Sequence, residues 1–150
     1  MWTRSVQFRG GRTGNYKLDE NRKERQMKLT VHHITEQMDP IAGGIPEVVR
    51  QLSSQLYAHG HHVVISHAYG SARDMEGIAE VSQYNPSGIL RKWGHSLELD
   101  RGLELSMNSI AAKGGVAHIH GLWKAPQIIA ARYAAHFNVP MVFSAHGMLE

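Results

Sequence analysis

The stretch "GGIPEVVRQLSSQLYAHGHHVVIS", residues 43–66, decides the fold. Ile45, Val48, Val49, Leu52 and Leu56 fall at i, i+3, i+4, i+7 and i+11, which is one face of a helix. Pro46 suits the first helical turn, where its missing N–H is no loss, and Gly60 sits where a C′ glycine stops a helix. "HHVVISH" (61–67) follows at once and reads as a β-branched strand. The adjacent glycines Gly43 and Gly44 at the helix mouth raise a choice. Either the backbone turns there in a way no side chain allows, or something approaches it closely.

The same alternation extends in both directions. "KLTVHHI" (28–34) reads as a strand ahead of the glycines. Residues 68–95 are irregular, with glycines, Pro86 and one strand at "IAEVSQY" (78–84). A helix is expected over 100–112, weakened at Gly102 and ended by Gly114 and Gly115. "VAHIH" (116–120) is a strand, and Ala125, Ile129, Tyr133 and Phe137 then recur every four residues, with Pro126 in the first turn and Asn138 near the C-cap. "PMVFSAHG" (140–147) supplies the last strand. Strand–helix repeats of this length imply an α/β fold: a Rossmann-like parallel sheet with right-handed crossovers and helices on both faces. Such sheets bind ligands outside the carboxyl ends of their strands. That edge collects Gly43-Gly44, then Gly121, Leu122 and Trp123, then His146 and Gly147.

Composition narrows the class. The chain has 150 residues, 42% hydrophobic and 19% charged, a globular balance sufficient for one domain. No apolar run approaches the roughly 18–20 residues of a membrane-spanning helix. Cysteine is absent, which excludes disulfides and thiolate metal sites. Residues 1–26 hold seven basic and three acidic side chains, a net of +4, which leaves nine basic and ten acidic groups, −1, for 27–150. The basic character belongs to an extension expected to be disordered, without the apolar core of a signal peptide. Met27, directly before the first strand, is a candidate start. The extension has no periodic apolar face, and no nucleic-acid partner is expected.

Each candidate site residue carries two readings. A Gly-Gly pair before a helix is commonly a plain turn, but bare N–H groups at a helix N-terminus also receive phosphate. Neither G-x-G-x-x-G nor G-x-x-x-x-G-K-[ST] occurs. His118 and His120 alternate on a strand and share a face, and with His146 they could imitate a metal site. Adjacent histidines at 32–33 and 61–62 point to opposite faces, however, and no carboxylate accompanies "HIH", so no metal site is expected. Trp123 either covers the core or stacks on a ligand. His146, flanked by Gly147, either donates to a bound anion or hydroxyl or satisfies backbone.

"GGIPEVVRQLSSQLYAHGHHVVIS", "VAHIHGLW" and "VPMVFSAHGMLE" together resemble, in this order, three signatures of the N-terminal domain of the retaining family 4 glycosyltransferases. The resemblance covers about residues 28–150; a second histidine, His61, stands where the family usually shows one "GH". It implies the first part of a GT-B enzyme, two Rossmann-like domains across a cleft, moving a sugar from a nucleotide-sugar donor to a saccharide or lipid-linked acceptor. By position, Gly43, Gly44, His146 and Gly147 would bind the donor, with His146 near the transferred sugar, and His120 and Trp123 would line the acceptor side. No cofactor is implied, because these enzymes are typically metal-independent, and no residue qualifies as a nucleophile. The family carries a second domain with a glutamate-bearing donor motif, so residues 27–150 would be an incomplete N-terminal domain. A cytoplasmic location is expected, including the inner membrane face as a peripheral protein. The alternatives are a non-catalytic α/β domain that binds a phosphorylated small molecule and, behind it, a histidine-based metallohydrolase.

Overall fold

β1 (Thr30–Ile34), β2 (His62–His67), β3 (Glu80–Gln83), β4 (Gly115–His120) and β5 (Met141–Ser144) form one sheet in the order β3-β2-β1-β4-β5, and every pairing is parallel. This is a computed structural model that describes residues 28–89 and 91–147; the expectation for residues 1–26 lies outside them. Three helices connect the strands: α1 (Gly44–Ala58), α2 (Leu97–Lys113) and α3 (Ala125–His136). The expected Rossmann-like α/β sheet is the observed fold.

The helices divide between the faces by the pleat. Ile34, Ala117 and Ile119 pack with Leu99, Leu103, Met107 and Ile110 of α2 and Ile129, Ala130 and Ala134 of α3. On the other face, Val63 and Ile65 of β2 pack with Val49 of α1 and with Met38, Ala72 and Met75. The chain thus winds one way from β1 and the other way from β4. β1 and β4 are neighbours, so their carboxyl ends flank the crevice where strand order reverses.

Local chemistry explains the boundaries. α1 ends in paired reverse-turn bonds, Gly60 N–H to Tyr57 carbonyl at 2.8 Å and His61 N–H to Leu56 carbonyl at 3.0 Å. Asn138 takes the same role after α3, with φ 55° and Val139 N–H donating to Ala134 carbonyl at 2.8 Å. Ser96 caps α2 by accepting from Leu99 N–H at 3.1 Å, which starts that helix three residues before the expected 100. Gly114 ends α2, but Gly115 already belongs to β4. The buried stripe of α1 also shifts: Pro46, Val49 and Ser53 are buried, while Val48 and Leu52, expected on the core face, are each 37% exposed. Apolar spacing gave the helix, yet two of its five apolar positions turn away from the sheet.

The loops after β1 and β2 are tied together by Arg50 of α1. Its guanidinium donates to Met38 carbonyl at 2.7 Å and to Asp74 Oδ2 at 2.6 Å. That bond holds the Asp74 carboxyl below the usual carboxylate range.

Glycine at 115 is required by a close approach. A Cβ there would strike the Thr30 carbonyl oxygen, which belongs to the paired strand β1 and cannot move cheaply. Gly44 is the opposite case, with ordinary φ and nothing within 4 Å of an added Cβ. Gly115→Ala is therefore expected to lower unfolding free energy by about 1–3 kcal/mol, whereas Gly44→Ala leaves it unchanged or raises it by up to about 1 kcal/mol. Urea unfolding of both variants checks the contrast.

Candidate functional site

The register of β1 on β4 sets His33 opposite His118. Alternation along β4 then brings His120 to the same side, so three imidazoles share one face at the carboxyl end of the two central strands. Their ring centroids lie 5.1 Å (His33–His118), 5.1 Å (His33–His120) and 4.0 Å (His118–His120) apart. His33 and His120 are fully buried and His118 is half-buried. His146, from the turn after β5, completes the group: its Nε2 lies 3.1 Å from His120 Nδ1 and its ring stacks on His120 at 5.4 Å.

Hydrogen bonds run through the group as a chain. His33 Nδ1 and His120 Nε2 are 2.9 Å apart, His120 Nδ1 bonds His146, and His118 Nε2 bonds Ser144 Oγ at 2.8 Å. His33 Nε2 is buried with no partner. His32 shows the contrast. It points to the other face, where Nε2 meets Ser66 Oγ at 2.8 Å and Nδ1 meets Ser106 Oγ at 2.9 Å, so both its nitrogens are satisfied. His67, at the end of β2, directs Nδ1–H to Tyr69 carbonyl at 3.0 Å.

Burial keeps these rings neutral. It is the largest cause of the low pKa of His33, about 4, and of His120, about 2, and neighbouring imidazoles add to it. His32 is lowered to about 3 by burial and by His33. Burial, then His146, lowers His118 as well.

The loops around this group place the other expected residues. Gly43 has φ 100°, a conformation that favours glycine, and with Gly44 it is exposed at the start of α1. The turn reading therefore accounts for Gly43, while nothing within the described residues crowds Gly44. Trp123 is 67% exposed with φ 72°, so it does not cover the core. His146 and Gly147 are also exposed, with φ 51° and 80°. A bulky residue in the left-handed region costs about 1–3 kcal/mol. Lys124, at the mouth of α3, bridges to Glu36 after β1 at 3.1 Å, which ties the two loops of the crevice together. Gln127, buried in the first turn of α3, donates Nε2–H to His120 carbonyl at 3.0 Å and leaves its Oε1 without a partner.

The structure thus joins His120 to His146, which the sequence assigned to opposite sides of a site, and adds His33, which sequence reasoning left out. His32 and His33 do face apart, as expected for neighbours on one strand, but "VHHI" and "VAHI" in register bring His33 to His118. A groove of about 390 Å³ lies elsewhere, between α2 and β2–β3, lined by Ser82, Tyr84, Ser106 and Ser109, and no such cluster converges on it.

No family model matches the sequence, and no curated protein matches it. Two crystal structures of the C-terminal domain of a hydrogenase from Pyrococcus furiosus are similar in fold. One has a TM-score of 0.50 at 11% identity over 81% of this chain and 93% of that one, and the other a TM-score of 0.51 at 11% identity over 79% and 92%. At that identity the likeness speaks of fold alone. Among the described residues no helix is long and apolar enough to cross a membrane.

The buried imidazoles make stability depend on pH. Their folded pKa values lie below the unfolded value of about 6.5, so the unfolded chain takes up protons first as the pH falls. The cost is absent above about pH 6.5 and grows down through the folded values, at about 1.4 kcal/mol per pH unit for each ring kept neutral. The urea midpoint is expected to fall steeply from about pH 6.5, well above the carboxylate range. A midpoint flat between about pH 7 and pH 5 contradicts it.

Proposed function

We propose that the chain is the N-terminal part of a nucleotide-sugar-dependent glycosyltransferase, the half that shapes the acceptor side of a two-domain cleft. The observation that carries this reading is the 3.1 Å contact between His120 and His146. Two separate sequence signatures meet there, at the strand edge where an α/β sheet takes its ligand. Around that contact stand the groups such a reaction uses. The open first turn of α1 at Gly44 offers bare N–H groups to a diphosphate. His146, exposed and next to Gly147, is available to a sugar hydroxyl. Trp123 offers an exposed apolar ring of the kind that stacks on a saccharide.

In this reading the protein contributes position and charge stabilisation. Amides at the start of α1 stabilise the leaving diphosphate as the glycosidic bond loosens, and no described residue serves as nucleophile. A second, donor-binding domain completes the cleft. Donor and acceptor are oriented only when both halves are present, so the isolated 150-residue chain is expected to transfer no sugar.

The test joins transfer to stability. With the donor domain present, Gly44→Val is expected to cut transfer from a panel of UDP- and GDP-sugars about 100-fold, or 2.7 kcal/mol. Its melting midpoint is expected to stay within a few degrees, because an added Cβ meets nothing within 4 Å at an ordinary φ. His146→Ala lowers turnover with little effect on folding, since the ring is exposed. Transfer by the isolated chain, or near-normal turnover in folded Gly44→Val, overturns the reading.

A further inference from the structure

We propose that His33, His118 and His120 form a binding site for one late first-row divalent transition ion, zinc being the representative. Each ring offers one nitrogen, and the three nitrogens lie within 4.8 Å of one another. A tetrahedral zinc ion with bonds of about 2.0–2.1 Å holds its ligand atoms about 3.4 Å apart, so the widest pair must close by at most about 1.5 Å. His118 has room for that movement. It is half-buried, and Val142, its partner on β5, is 47% exposed on the same face.

The unpartnered His33 Nε2 points independently to a ligand. Burying a nitrogen without a hydrogen bond costs about 1–3 kcal/mol, and His32, one residue away, avoids that cost with two serines. In the chain of bonds from His33 to His146, a proton on each Nδ1 leaves His33 Nε2 as a bare lone pair, and an ion would take the His120 Nε2 lone pair in place of the His33–His120 bond. A buried lone pair without a donor, on a ring beside two other neutral imidazoles, suits a cation. The Ser144 hydroxyl on His118 is an outer partner of the kind that fixes the ring of a metal-bound histidine. The donors are all imidazole nitrogens with no carboxylate among them, which favours zinc, copper or nickel over magnesium or calcium. Three protein ligands leave a fourth position, on the side of His118 and His146, for a water or an anion.

This site departs from the metal independence that the family resemblance implies, and it does not rest on the transferase reading. Its readouts are metal content and ring resonances, so either proposal can fail alone.

The experiment uses the 150-residue chain free of any polyhistidine tag, stripped with chelator and titrated with zinc sulfate, with magnesium chloride as control. The expected result is one equivalent of zinc retained after desalting, no magnesium, and a visible ligand-field spectrum of tetrahedral type on cobalt substitution. Zinc should shift the ring nitrogen resonances of His33, His118 and His120 and leave those of His32, on the opposite face, unmoved. His118→Ala should weaken zinc binding at least about tenfold, as loss of one of three ligands requires, while His62→Ala, at an exposed ring paired with Glu80, leaves it unchanged. The ring resonances need no substitution, so they decide the matter even if His118→Ala misfolds. Zinc lost on desalting, zinc shifts confined to exposed histidines, or undiminished binding by folded His118→Ala overturns the proposal.

Discussion

The parallel pairing of β1 with β4 is the constraint on which the rest of the structure depends. Thr30 meets Gly115 at one end and His33 meets His118 toward the other, with Val31 on Val116 and Ile34 on Ile119 between and beyond them. A slip of one residue would turn Ile34 out of the α2–α3 core and carry His33 into it. Two features fix the register against larger slips. Gly115 admits the Thr30 carbonyl where any side chain would collide, and the imidazoles meet only in this alignment. Because β1 and β4 send their crossovers to opposite faces, the same pairing also opens the crevice between their loops.

Much of this was legible in the sequence, for reasons that can be named. Strands and helices followed from apolar spacing, and the stops at Gly60 and Asn138 followed from the left-handed residue that ends a helix. The edge that gathers Gly43, Trp123 and His146 followed from a rule about parallel sheets. What failed to show were features set by pairing. The inward face of α1 depends on which strand it crosses, so Val48 and Leu52 kept their helical spacing and still turned outward. His33 depends on a partner 85 positions away in register, which no local pattern encodes. The start of α2 was missed because Ser96 acts through its side chain, and helix caps leave no periodic trace.

The electrostatics of the crevice follow from burial more than from charge. Five histidines, at 32, 33, 67, 118 and 120, are all held below their ordinary pKa, with desolvation as the leading cause each time. The central strand ends therefore present neutral nitrogen donors and acceptors. Lys124 and Glu36 form an ion pair across the crevice loops, so these two charges offset each other. The directional groups at these strand ends are imidazole nitrogens and backbone carbonyls.

Among the described residues, strained backbone gathers at one edge of the sheet. Nine glycines among the described residues take positive φ, which they do at little steric cost, and Asn138 takes it at a helix end where asparagine is tolerated. Only Trp123 and His146 do so as other side chains, and both lie in the turns after neighbouring strands β4 and β5. Glycine would relieve about 1–3 kcal/mol at each. His146 offsets part of its cost through the bond to His120, and the Trp123 indole is 67% exposed. Strain therefore gathers at the carboxyl ends of the neighbouring strands β4 and β5, the edge where parallel α/β sheets take their ligands.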